Sequence, residues 1–123
     1  MKTYFRNVMN TLERSVESMD VGIFEQLVSE CNRVIESGCK IIVSGLGKNV
    51  PVCEKFVGTM NSLGLTACFM NTNSATHGDL GMVKPGDLVI VLTKSGEPGE
   101  SVYLTALLKK RDADLWLLSF QKE

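Results

Sequence analysis

LVIVLTKSGEPGES, residues 88–101, begins as an unbroken apolar run and then turns abruptly into hydroxyls, a lysine, glycines and carboxylates. Six residues are too few for a helix, and their uniform apolarity and β-branching read as a strand buried on both faces, LVIVLT (88–93). Beyond the polar turn, Val102, Tyr103, Leu104, Leu107 and Leu108 return at helical spacing. A buried strand that enters a helix through a short polar turn is half of a βαβ unit, and the rest of the chain repeats the pattern.

Upstream, KIIVSG (40–45) is a strand that runs into the turn GLGKN (45–49) and then Pro51, a residue that suits the first turn of a helix because its missing NH has no partner there. Val52, Cys53, Phe56, Val57, Met60 and Leu63 supply the apolar stripe of that helix, and Gly64 ends it. TACFMN (66–71) and DLWLLSF (114–120) read as the second and fourth strands. Two helices come before all of these. Phe5, Val8, Met9, Leu12, Val16 and Met19 mark the first; Ile23, Phe24, Leu27, Val28, Cys31, Val34 and Ile35 mark the second, with Asp20 as its cap and Gly38 as its stop.

The fold expected is therefore α/β, one domain over residues 1–123, with a helical lead-in (1–38) and a core (39–123) of four parallel strands covered by helices on both faces. Ligands of such sheets bind beyond the C-terminal strand ends, where the strand order reverses. Ser44-Gly45, Asn71 and Thr93-Lys94-Ser95 close three of the four strands with small or polar residues, so the site is expected at that edge.

Composition narrows what the site can hold. The chain has 123 residues, 44% hydrophobic and 22% charged, with a formal net charge of −1 and its basic residues scattered. That leaves no footprint for a nucleic-acid backbone, so any anion must be held locally. The first 20 residues contain no continuous apolar stretch, which argues against a signal peptide or membrane span and for a cytoplasmic location. Cys31, Cys39, Cys53 and Cys68 lie at wide, irregular spacings in apolar contexts and read as buried free thiols. With a single histidine, His77, no metal site is expected.

GLGKN invites two nucleotide readings, and both fail on spacing. A phosphate-binding P-loop needs a glycine at Ile42 and a hydroxyl at Asn49; a dinucleotide fingerprint needs a glycine at Val50 and an acid at Asn71. What remains is a turn whose glycines let the backbone approach an anion at a helix N-terminus, or a plain tight turn. THGDLG (76–81) places His77 two residues before Asp79 in a long polar connection, either as a surface residue or as a proton-transfer group that Asp79 orients. TKSGEP (93–98) offers the Thr93 and Ser95 hydroxyls, the Gly96 NH and the Glu97 carboxylate. Ser95 alone would explain it as a capped helix start. Lys94 and Lys48 are the nearby cations.

Taken together and in this order, GLGKN, THGDLGM and TKSGE resemble the SIS (sugar isomerase) domain, and within it the arabinose 5-phosphate isomerases, whose pattern is close to G-M-G-K-S-G, H-G-D-L-G-M and S-N-S-G-E-S. The HGDLGM match, residues 77–82, is complete. The resemblance implies a flavodoxin-like sheet that binds a sugar phosphate and interconverts an aldose and a ketose through an enediol, with no metal or organic cofactor. It implies Glu97, His77 and Lys48 as catalytic residues, and a phosphate held by Thr93, Ser95 and Gly96 with Ser44, Gly45, Gly47 and Asn49 close by; Gly78 and Asp79 would support His77. Asn49, Val50 and Pro98 depart from the family pattern, and two hydroxyl donors go with them. These departures favour an alternative, a non-catalytic phosphosugar-binding or regulatory module. Family domains also continue beyond a fourth strand. The apolar strand LWLLSF is thus expected to be covered by another subunit of a homo-oligomer (dimer or tetramer), by exchanged segments, or by the two leading helices.

Overall fold

The computed structural model describes residues 1–94 and 98–119. Four strands, β1 (Ile41–Gly45), β2 (Ala67–Asn71), β3 (Leu88–Thr93) and β4 (Asp114–Ser119), form one sheet in the order β2-β1-β3-β4, and every pair is parallel. This is the flavodoxin-like order expected for right-handed crossovers. All of β1 and Leu88–Val91 of β3 are buried, as central strands with two covered faces must be.

The helices divide between the faces. Helices α2 (Val21–Glu36) and α3 (Val50–Ser62) cover one side, where Val34 and Cys53 pack on Ile41, Val43, Leu88 and Ile90. On the other side α5 (Pro98–Lys109) sets Leu104 and Leu108 against Ile42, Val89 and Val91, joined by Ala75 and Leu80 from the β2–β3 connection. Asp20 caps α2 by accepting from the Ile23 amide at 3.1 Å, and Gly38 ends it at φ +75°, both as the sequence predicts.

Three details differ from the sequence reading. The β2–β3 connection, read as a long polar loop, contains a four-residue helix, α4 (Thr72–Ala75), and a 3-10 turn over Asp79–Met82. Only Cys53 is fully buried; Cys31, Cys39 and Cys68 are half-buried, all four being free. Burial pushes the thiols of Cys31, Cys53 and Cys68 up, which keeps them protonated and unreactive near neutral pH. Third, α1 (Lys2–Glu17) forms as a helix but buries none of its residues. It makes no extended contact with β4. Helix α2 lies over β1 and β3, and its Arg33 bonds the Asp114 carboxylate at the start of β4, while Leu117 and Leu118 remain exposed.

At the N-terminal end of the sheet, Asp87 is almost wholly buried and accepts from the Lys40 amide (3.1 Å), the Lys84 amide (2.8 Å) and the Lys40 ammonium. One carboxylate thus ties the entries of β1 and β3 together.

Candidate active site

The register brings the C-terminal ends of β1, β2 and β3 to one edge. Gly45 stands opposite Asn71 on one side and Leu92 on the other, and Thr93 is opposite Ser119. Because β1 lies between β2 and β3, the chain leaving β1 goes to one face through α3 and the chain leaving β3 goes to the other through α5. The crevice between those departures is the topological switch point, the usual ligand position in an open parallel sheet.

Close packing shapes the first turn. A Cβ on Gly45 would stand 2.8 Å from Cys53 Sγ and 3.0 Å from Asn49 Cβ, so no side chain fits. Gly45 has to be glycine for α3 to approach β1 this closely. Gly45→Ala is expected to cost about 1–3 kcal/mol, read as a lower urea midpoint with an unchanged slope. Adding Cys53→Ala should recover part of that loss; no recovery would mean that the clash lies elsewhere. The turn continues through Gly47 at φ +59° into a 3-10 turn, Gly47–Asn49, that carries Lys48 out into solvent. Asn49 precedes α3 without capping it. Its side-chain amide instead donates to the Leu92 carbonyl at 3.1 Å, which binds this turn to the end of β3.

Ser44 is fully buried, and its hydroxyl meets that of Thr72 at 3.0 Å. This pair fastens the end of β1 to the first residue of α4. Asn71 closes β2 and accepts from the Asn73 amide at 2.9 Å, which turns the chain into α4. His77 follows. Its amide is bonded to the Ser74 carbonyl at 2.9 Å, and its ring and the Asp79 carboxylate are both exposed, with no hydrogen bond between them. Gly78 at φ +133° is in a backbone region closed to other residues, and it sets the direction of the His77-to-Asp79 step. Thr93 is half-buried at the end of β3. Ser95, Gly96 and Glu97 lie outside the described residues.

The structure thus gathers Ser44, Gly45, Asn49 and Thr93 at the strand ends and places Lys48, His77, Gly78 and Asp79 on the two turns beside them. Sequence reasoning missed Thr72 and the structural roles of Asn49 and Asn71. This edge carries an exposed ammonium, Lys48, and an exposed imidazole, His77, with the half-buried Thr93 hydroxyl at the end of β3. Those groups suit a phosphorylated polyol whose protons must be moved. Among the described residues no cluster of histidine, cysteine and carboxylate side chains could hold a metal ion, and no helix is long and apolar enough to cross a membrane.

The model of one family, described as the SIS domain, matches residues 34–122. The chain belongs to the SIS domain family. Among curated relatives it is 30% identical over 118 residues to the arabinose 5-phosphate isomerase KdsD of Yersinia pestis, covering 96% of this chain and 36% of that protein. This SIS chain therefore spans about a third of the length of the curated relatives it matches. Among solved structures, c3406 of Escherichia coli CFT073 in complex with arabinose 5-phosphate superposes with a TM-score of 0.84 at 28% identity, over 98% of this chain and 62% of that one. The sugar isomerase domain of an RpiR transcription factor from Sphaerobacter thermophilus shares the fold at a TM-score of 0.73 and 21% identity, over 95% and 64% of the two chains. A kinship with sugar-phosphate isomerases is thereby established, as the three turns implied.

Proposed function

We propose that this chain provides the site of an aldose–ketose isomerase that converts arabinose 5-phosphate to ribulose 5-phosphate through an enediol. The observation that carries the reading is the convergence of GLGKN and the complete HGDLGM stretch beside the end of β3, at the switch point of the sheet. The phosphate is held by Thr93, Ser95 and the Gly96 amide, with the Gly45–Asn49 turn and the uncapped start of α3 adding amide donors. Ser44, spent on Thr72, holds that turn in place.

The aldehyde carbon and its neighbour exchange one proton. Glu97 takes it from C2 to form the enediol and returns it to C1. His77 opens the sugar ring and moves the proton between the two oxygens, and Lys48 stabilises the oxyanion that develops between these steps. The chemistry asks for no metal or organic cofactor. The same reading includes a cytoplasmic homo-oligomer, dimer or tetramer, that covers β4.

One observation favours a second reading, a binding or regulatory module. Where the isomerase pattern carries a serine hydroxyl, this chain has Asn49, whose amide is engaged with Leu92. A thermal-shift titration separates the two when run beside a turnover assay on the same preparation. Arabinose 5-phosphate should raise the midpoint and arabinose should not, because the phosphate supplies the affinity. A shift with turnover supports the isomerase and a shift without turnover supports the module. No shift and no turnover would remove both.

A further inference from the structure

We propose that Thr72 is a positioning residue, and that its buried hydroxyl pair with Ser44 fixes where His77 stands beside the strand ends. The effect on turnover rests on the isomerase reading; the placement of His77 does not. Ser44 is the first ground. It is fully buried at the fourth position of β1, behind the apolar Ile41, Ile42 and Val43. A hydroxyl in such a place is costly unless it is bonded, and an apolar side chain would fill it without that cost. What the hydroxyl adds is direction. Apolar contact has no preferred angle, whereas a hydrogen bond at 3.0 Å restricts the orientation of its partner.

The segment that Thr72 begins is the second ground. Helix α4 is a single turn, too short to stand by itself. Thr72 and Ala75 anchor its two ends in the core, and Leu80 is buried again beyond it. Residues 76–79 are exposed between these anchors, with His77 among them. Short bonds pass the constraint along the chain. The Asn71 side chain accepts from the Asn73 amide at 2.9 Å, the Thr76 hydroxyl donates to the Asn73 carbonyl at 2.8 Å, and the His77 amide donates to the Ser74 carbonyl at 2.9 Å. The Ser44–Thr72 bond joins this run to β1, which ends one residue later and leads into the turn that carries Lys48. One buried pair thereby sets the His77 turn against the Lys48 turn.

The anchor acts at the end of a lever. At 1.5 Å per residue, His77 lies about 7.5 Å along the chain from Thr72, so a swing of roughly 10° at the anchor displaces it by ~1 Å. A misplacement of that size at a reacting centre can cost about 100-fold in rate.

His77 is the single histidine of the chain, so its ring signals are unique in an NMR spectrum. Wild type is compared with Thr72→Val, which keeps the shape and removes the hydroxyl, and with Thr72→Ser, which keeps the hydroxyl. A double variant, Ser44→Ala with Thr72→Val, leaves no buried hydroxyl unpaired and so separates positioning from simple destabilisation. In wild type and Thr72→Ser the ring should give one set of signals, and the His77 amide an order parameter near the ~0.85 of rigid backbone. In both valine variants the ring signals should shift and the order parameter fall toward about 0.6, while the amides of β3 stay near ~0.85. With arabinose 5-phosphate, the valine variants should lose about 10–100-fold in kcat with KM changed less than about twofold, and Thr72→Ser should recover most of the loss. A His77 as ordered in both valine variants as in wild type, or a loss of order shared equally by β3, would overturn the proposal. So would a loss that falls on KM alone, which would make the pair a support of the phosphate turn. Loss of His77 order with turnover intact would keep the positioning and remove His77 from the isomerase reading. A wild type without turnover would remove that reading, and the NMR comparison would still decide this one.

Discussion

Glu97→Gln is expected to lower turnover of arabinose 5-phosphate about 10²–10⁴-fold, the contribution of a well-placed general base. Removing a proton from the carbon beside a sugar aldehyde is the demanding step. Glutamine keeps the size and polarity of the side chain while losing the ability to accept that proton. Because the proposed reading assigns the phosphate to other groups, the loss should fall on kcat, with KM moving little. Turnover within about threefold of wild type would take the carbon base away from Glu97, since a factor that small lies far below what proton transfer supplies. The residue enters this role by its place in TKSGE, directly after the end of β3 and before Pro98, where α5 starts.

The largest effect on stability is expected at the opposite end of the sheet. Asp87→Ala removes an almost fully buried carboxylate that holds the Lys40 ammonium and the amides of Lys40 and Lys84. Breaking a buried ion pair from one side costs about 3–5 kcal/mol. The Lys40 side chain keeps some contact with water, at 23% exposure, which points to the lower end, about 3 kcal/mol. For a chain of this length that is a fall in Tm of roughly 10 °C. A fall of only about 2 °C, under ~1 kcal/mol, would show the carboxylate to be incidental.

The same group makes stability depend on pH. Burial pushes the Asp87 carboxyl up, but the bond to the Lys40 ammonium and those from the Lys84 and Lys40 amides outweigh it and hold the group below its ordinary value. With the folded value below the unfolded one, about 3.9, the contribution is complete above roughly pH 5 and is lost as pH falls through about 4 and below. Urea midpoints of wild type and Asp87→Ala should therefore converge in acid. A gap that stays constant down to about pH 3 would assign the loss to packing instead of charge.

The sheet was legible because its signals are local. Each strand is a short apolar run, β-branched in β1 and β3, closed by a small or polar residue, and β1, β2 and β3 agree with the predicted runs to within one residue at either end. The α2 cap and stop were equally plain, since Asp20 and Gly38 act on neighbours in the chain. What escaped was of two kinds. Helix α4 has four residues and no apolar period to read, although the Asn71 and Asn73 spacing carried the signal of a side chain accepting from the amide two residues on. The hydroxyl pair of Ser44 and Thr72, the amide link from Asn49 to Leu92 and the Asp87 tie each join positions 28 or more apart, or depend on such a partner. Only the folded register brings them together.

The site shows the same division. Gly45 and Gly47 stood out as glycines in a strand-to-helix turn, but the reason for the first, a neighbouring Cys53 sulfur at 2.8 Å from where a Cβ would sit, belongs to packing. Asn49 looked like a residue of the phosphate-side turn that had lost the family's serine hydroxyl. It proves to be a tie between two of the three site turns. Exposure of the α1 stripe was illegible for a related reason, because helical spacing of apolar residues says that a face will be covered and not by which chain.

The central claim is that this edge of the sheet moves a proton between two neighbouring carbons of a sugar phosphate. The most direct measurement is incubation of the 123-residue chain with arabinose 5-phosphate in deuterium oxide, with the product read by NMR. Isomerisation through an enediol predicts ribulose 5-phosphate carrying deuterium at C1, formed by the wild type and not by Glu97→Gln. Ribulose 5-phosphate absent from the wild-type reaction, while arabinose 5-phosphate still raises the melting midpoint, would contradict it and leave a phosphosugar-binding module.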